Sequence, residues 1–155
     1  MTADRPDVPD RRSDARERAL YVMYEAAQKG VAGTSVLASQ VVAPDDLTTV
    51  LVTGVETHRD RLDEVIAAKA AGAGWTLARM PVLDLSVLRL ATFELIERLD
   101  VPVAVVIDEA VELAKRFSTD NSGRFVNGVL ASLARDLRSA DDRPVGHCEP
   151  EADLA

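Results

Sequence analysis

Arg11, Arg12, Arg16 and Arg18 stand within eight residues of one another in the stretch RRSDARER, directly before the apolar run ALYVMYEAA. Guanidinium groups gathered this way can hold phosphate oxygens bidentately or stack on unpaired bases. They can equally solvate the start of a helix, with Asp14 favouring the helix dipole and spaced i,i+4 to pair with Arg18. Other candidates for chemistry are thinner. Asp108, Glu109 and Glu112 could share a helix face like the carboxylates of di-metal bundles, but those also need a Glu-x-x-His pairing and no histidine lies near. They read as a solvated helix face. His58 sits in a charged stretch and His147 beside Cys148, too dispersed for a metal site. Gly72-Ala73-Gly74 lacks the lysine and flanking strand of a phosphate-cradling loop. The expectation is no catalytic residue, no metal and no cofactor.

The elements that position the arginines follow from composition and period. Hydrophobic residues make up 47% of the 155, aromatics only 4%, so the core must be built from Ala, Val and Leu. With 28% charged residues, this composition reads as helical rather than β. The length suits one domain, built from two small subdomains. A net charge of -8 speaks against coating nucleic acid by bulk charge while permitting a local basic patch. Residues 1–18 hold five arginines against five acids, whereas 140–155 hold one arginine against five, so the first stretch is the less acidic end. The lone Cys148 excludes an internal disulfide and fits a reducing compartment. No apolar run approaches the roughly 20 residues needed to span a bilayer, and MTADRPDVPD lacks the apolar core of a secretory signal. A cytoplasmic protein with no membrane partner is expected.

Residues 1–10, with two prolines and three aspartates, read as a disordered arm, and 140–155 as an acidic mobile tail. Between them, 11–139 reads as a helical domain divided into 11–72 and 73–139. Leu20, Met23, Tyr24 and Ala27 mark a helix over 14–29 that stops at Gly30. A short helix over 35–42 ends before Pro44. Residues 45–71 read as one long helix, with Gly54 serving close packing. GAG at 72–74 breaks it, and WTLARM forms a turn to Pro81. Helices over 82–98, 102–117 and 122–139 follow, the last two packing through Ile107, Val111, Phe125, Val129 and Leu133. The apolar period runs through Asn127-Gly128, which excludes a hairpin there and makes both packing residues. The predicted fold is all-α, with about seven helices.

ARERALYVMYEA at 15–26, RMPVLDLSVLRLATFEL at 79–95 and DVPVAVVIDEAVELAKRFSTDNSGRFVNGVL at 100–130 resemble the NusB family of transcription antitermination factors. The match runs in order through most of 12–138. The resemblance implies two orthogonally packed subdomains, of three and four helices, and no catalysis. It also implies a small-subunit ribosomal protein partner (NusE), boxA-type single-stranded RNA, and action on the RNA polymerase elongation complex with other Nus factors, notably in ribosomal RNA operons.

The resemblance carries RNA contact onto Arg12 and Arg16, with Arg11 and Arg18 adjacent, and onto Asn121, Ser122, Arg124 and Phe125 of the polar loop STDNSGRF. Ser122 is also the expected N-cap of the last helix. Phe125 fits either base stacking or the core stripe. Tyr24 and Asp84 are carried over as partner contacts, Tyr24 fitting the core equally well. Departures from the family pattern are Ser13 and Asp14 where a basic run often continues, Asn121 for a common aspartate, and Leu85 for a common basic residue. Two alternatives remain open: a diverged interaction module without RNA affinity, and part of an RNA methyltransferase, for which a chain ending at 155 leaves no room.

Overall fold

The computed structural model describes residues 11–138. The expected arm over 1–10 and tail over 140–155, with His147 and Cys148, lie outside the described residues. Seven α-helices are present among them: α1 (Arg11–Lys29), α2 (Gly33–Ala38), α3 (Asp46–Thr57), α4 (Arg59–Gly72), α5 (Val82–Glu97), α6 (Val103–Phe117) and α7 (Asp120–Arg138). A single 3-10 turn, Leu77–Arg79, fills the WTLARM connection. The all-α expectation holds.

The expected long helix over 45–71 is two helices. It bends at His58, whose ring stacks on Phe93 of α5, centroids 5.9 Å apart. The bend has a packing cause. Helix α3 lies against α1, α2 and α5, whereas α4 lies against α5 and α7, and one straight rod cannot follow both. The seven helices form two packed helical subdomains, and the 45–71 run is interrupted at His58. Gly54, one turn before the bend, sits against the Phe93 ring where a Cβ would collide with it, so the close-packing expectation is met.

Helix α5 is the centre of the molecule. Val87, Leu88, Leu90, Ala91, Phe93 and Leu95 are all buried, so it is enclosed by the other helices, its buried Asp84 and Glu94 each held by a partner. Helices α6 and α7 form an amphipathic pair across it, with Val106, Leu113, Val126, Leu130 and Leu133 fully enclosed. Each such side chain contributes roughly 1.5–3 kcal/mol by leaving water. Of the five residues expected at this contact, Val129 and Leu133 are buried, while Ile107, Val111 and Phe125 are half-buried. Asn127 and Gly128 are exposed with open space at Gly128, so they are not packing residues.

Two local differences bear on the site. Helix α2 covers 33–38 rather than 35–42, leaving Val41 and Val42 in an exposed loop. On α1 the buried stripe is Ala15, Arg16, Ala19, Leu20, Val22 and Ala26, rotated from the expected one, so Tyr24 and Ala27 face outward. Alanines on that stripe let α1 approach α3 and α5 closely. At the far end, buried Arg138 donates to the carbonyls of Glu94, Leu95, Arg98 and Val101, satisfying the open C-terminus of α5 and the turn after it.

Candidate nucleic-acid interface

The four arginines at the start of α1 divide into two pairs. Arg11 and Arg12 are exposed. Arg16 is 2% exposed, its Nε 3.0 Å from both carboxylate oxygens of Glu94 and its Nη2 2.9 Å from Oε1. Glu94 is equally enclosed. Arg16, expected at an RNA surface, therefore fastens α1 to α5 and presents nothing to a phosphate. Arg18 donates to the loop carbonyls of Val42 and Ala43, holding the segment between α2 and α3 rather than pairing with Asp14. Asp14 is exposed beside the outward arginines.

Helix α1 is pinned along α6 as well. The Ser13 hydroxyl donates to Glu109 at 2.8 Å, Arg116 bridges Glu17 at 3.2 Å, and Tyr21 meets the edge of Phe117 with centroids 5.3 Å apart. These pairs advance together, so α1 and α6 run in the same direction, joined through long side chains. Arg11 and Arg12 mark one end of the ridge. The turn from α6 into α7 marks the other.

At that turn the Thr119 hydroxyl accepts from the Ser122 N–H at 3.0 Å, the bond of an N-cap. Ser122, expected as the cap and as an RNA contact, lies inside the first turn and is buried. Its hydroxyl donates to Asp84 Oδ2 at 2.9 Å and lies 2.9–3.0 Å from the hydroxyls of Thr119 and Ser118. Gly123 is buried against the Lys115 stem, 2.8 Å from where its Cβ would stand, which draws α7 onto α6. Asn121 and Arg124 point outward. Phe125 is half-buried and faces Trp75, centroids 5.8 Å apart at 54°.

A groove of about 430 Å³ runs beside this ring pair, lined by both rings and by Met80, Pro81, Asp84 and Asn121. Asp84 is 4% exposed, and its Oδ1 accepts no hydrogen bond among the described residues. The structure thus brings Asp84, assigned to the protein partner, together with Asn121, Ser122 and Phe125. Tyr24, 39% exposed on α1, is not part of that groove.

The sequence comparisons agree with this architecture. The NusB family model matches residues 13–135. This chain belongs to the NusB family. It is 50% identical over 129 residues to the transcription antitermination protein NusB of Saccharopolyspora erythraea, covering 79% of this chain and 86% of that one. With NusB of Streptomyces griseus the identity is 46% over 136 residues, covering 82% and 93%. Among solved structures, T. maritima NusB superposes with a TM-score of 0.71 at 32% identity, over 81% of this chain and 91% of that one. The NusB of a complex with NusE and double-stranded RNA shares the fold at a TM-score of 0.69 and 24% identity, over 81% and 96%.

Measured against the structure, sequence reading missed Glu94 and Trp75. Glu94 carried a signal, since a lone carboxylate inside LRLATFELI requires a buried partner. Trp75 sat in an irregular turn and carried none. A larger cavity of about 550 Å³ opens between α1, α3 and α5, and two of its charged groups, Glu56 and Arg89, are occupied. Glu56 accepts from the Thr34 N–H, and Arg89 clasps Asp63 at 2.7 and 2.9 Å. Among the described residues no cluster of His, Cys, Asp or Glu is arranged to hold a metal, and no helix is long and apolar enough to cross a membrane.

Proposed function

We propose that this NusB-family chain is an RNA-binding antitermination factor. It pairs with the small-subunit ribosomal protein NusE, binds boxA-type single-stranded RNA, and promotes read-through by the RNA polymerase elongation complex with other Nus factors, notably in ribosomal RNA operons. One observation carries the RNA reading. Exposed Arg11 and Arg12 stand at one end of the α1–α6 ridge, and Asn121, Arg124 and the Trp75–Phe125 groove stand at the other. The ten or so helical residues between them span roughly 15 Å, a short run of extended single strand. Cationic groups at one end suit phosphates, and the aromatic groove suits an unstacked base. The names of the two relatives above, both transcription antitermination proteins, support the transcriptional role.

The test is a gel-shift titration with boxA-like and scrambled RNA, with and without the ribosomal protein. Weak binding by the lone chain is expected, strengthened by the partner and favouring boxA, because the exposed basic patch is small and the chain is acidic overall. Tight boxA binding that ignores the partner contradicts the heterodimer. No RNA binding in either arm favours an interaction module, a reading motivated by the loss of Arg16 and Arg18 to internal contacts.

A further inference from the structure

We infer that the acidic segment 139–155 docks on the exposed arginines at the start of α1 and competes with RNA phosphates for them. This rests on the RNA reading above and adds a competitor carried by the chain itself.

The topology brings the segment to the right end of the molecule. Arg138 is buried, and its guanidinium donates to the carbonyls of Glu94 and Arg98 at the C-terminal end of α5. The Glu94 carboxylate holds Arg16 of α1 from the other side. Farther along, Met23 and Ala27 of α1 line one cavity with Ser86 and Arg89 of α5, so the two helices run in opposite directions. Arg11 and Arg12, a turn before Arg16, therefore stand at the same end as Arg138. Residues 139–155 continue the chain from there.

Charge then matches the two. The segment carries Asp141, Asp142, Glu149, Glu151 and Asp153 against Arg143, a net of -4. Arg11 and Arg12 are exposed at a helix start, where open N–H groups and the helix dipole add to their positive charge. A carboxylate fits the same guanidinium fork as a phosphate. Exposed Asp14 offsets part of the attraction. The contact is accordingly weak and reversible, which suits a competitor rather than a clamp. Arg124, the outward cation of the α6–α7 turn, lies at the far end of the ridge.

Reach is also sufficient. Helix α6 separates α1 from α7, so the two starting points lie on the order of 20 Å apart, about two interhelix spacings. Glu149 and Asp153 come 11 and 15 residues after Arg138. A coil of that length spans about 20 Å on average. A tether whose mean span matches the distance holds its group at about millimolar effective concentration. Carboxylates so placed weaken RNA binding a few-fold at low salt, and salt screens the effect.

The chain's one cysteine, Cys148, lies inside the segment and takes a spin label. In NMR spectra of the labelled full chain at low salt, amides of residues 11–13 should broaden more than those of residues 121–124. High salt should restore them. RNA binding is followed by anisotropy of an end-labelled, uridine-rich single strand. A full chain with Asp141→Asn, Asp142→Asn, Glu149→Gln, Glu151→Gln and Asp153→Asn should bind roughly three- to tenfold tighter at low salt. That gain should vanish at high salt, and it should be absent when Arg11→Ala and Arg12→Ala accompany the five changes. Equal RNA affinity with and without the acids, or an equal gain in both backgrounds, overturns the inference while the RNA reading stands. Unbroadened amides at 11–13 overturn it too, as does broadening that fades on dilution, which assigns the contact to a second copy. No RNA binding by any variant removes the RNA reading and the competition together.

Discussion

Arg16 of α1 and Glu94 of α5 form a bidentate ion pair with contacts of 2.9–3.0 Å, closed off from solvent on both sides. It fastens α1 to the central helix. Removing one partner leaves a buried charge alone, so Arg16→Met or Glu94→Leu alone should lower stability by about 3–5 kcal/mol. The double change Arg16→Met with Glu94→Leu should cost clearly less than the two singles added, because it leaves no orphan. Urea melts of the four proteins form the cycle. Singles within a few tenths of the parent would mean the pair is hydrated.

Two helical glycines should respond oppositely to alanine. At Gly54 a Cβ would strike the Phe93 ring, so Gly54→Ala should destabilise by about 1–3 kcal/mol through overpacking. At Gly128 nothing lies within 4 Å and the backbone is helical, so Gly128→Ala should stabilise by about 0.5–1 kcal/mol. Thermal melts decide, and equal shifts at the two sites would refute the packing assignment.

Asp45 caps α3, its carboxylate accepting from the Thr48 N–H at 2.8 Å and the Thr48 hydroxyl at 2.9 Å. Partial burial pushes its pKa up, but the Thr48 bonds and the nearby Arg18 charge outweigh that and hold it below the ordinary value. A depressed folded-state pKa contributes stability above the unfolded value and loses it as pH falls through the folded one. Asp45→Ala should therefore cost about 1 kcal/mol at neutral pH. The gap from the parent should close below about pH 4. A gap independent of pH down to strong acid would show that the ionised cap contributes nothing.

The helices were legible in sequence because their apolar period is long and repeated, most clearly in α6 and α7. Where reading failed, a tertiary contact had overruled local pattern. The 45–71 run looks continuous because every residue in it tolerates a helix. Only the Phe93 ring against Gly54 and His58, and the different neighbours of its two halves, reveal the bend. The same holds at the site. Four arginines in eight residues look alike on paper, and helical geometry turns Arg16 inward and Arg18 onto a loop. The partner of each lies 24 or more residues away, which no local spacing encodes. Asp84 reads as a helix-dipole acid, and its meeting with Ser122, 38 residues on, needs the fold.

That division of the arginines fixes the last prediction. If RNA runs along the ridge, Arg11→Ala with Arg12→Ala should weaken binding and flatten its salt dependence. Each lost phosphate contact should remove about 0.7 from the logarithmic salt slope of a single strand. Both residues are exposed at the helix start, and melts separate a lost RNA contact from lost stability. Arg16→Ala should do the reverse, lowering stability first and affecting RNA only as the protein unfolds. Asp14→Arg should tighten binding, since an exposed negative charge beside the two arginines becomes a positive one. The measurement is RNA affinity across a salt series, with melts on the same samples. Should the double variant keep both affinity and slope while folded, the exposed arginines only solvate the end of α1.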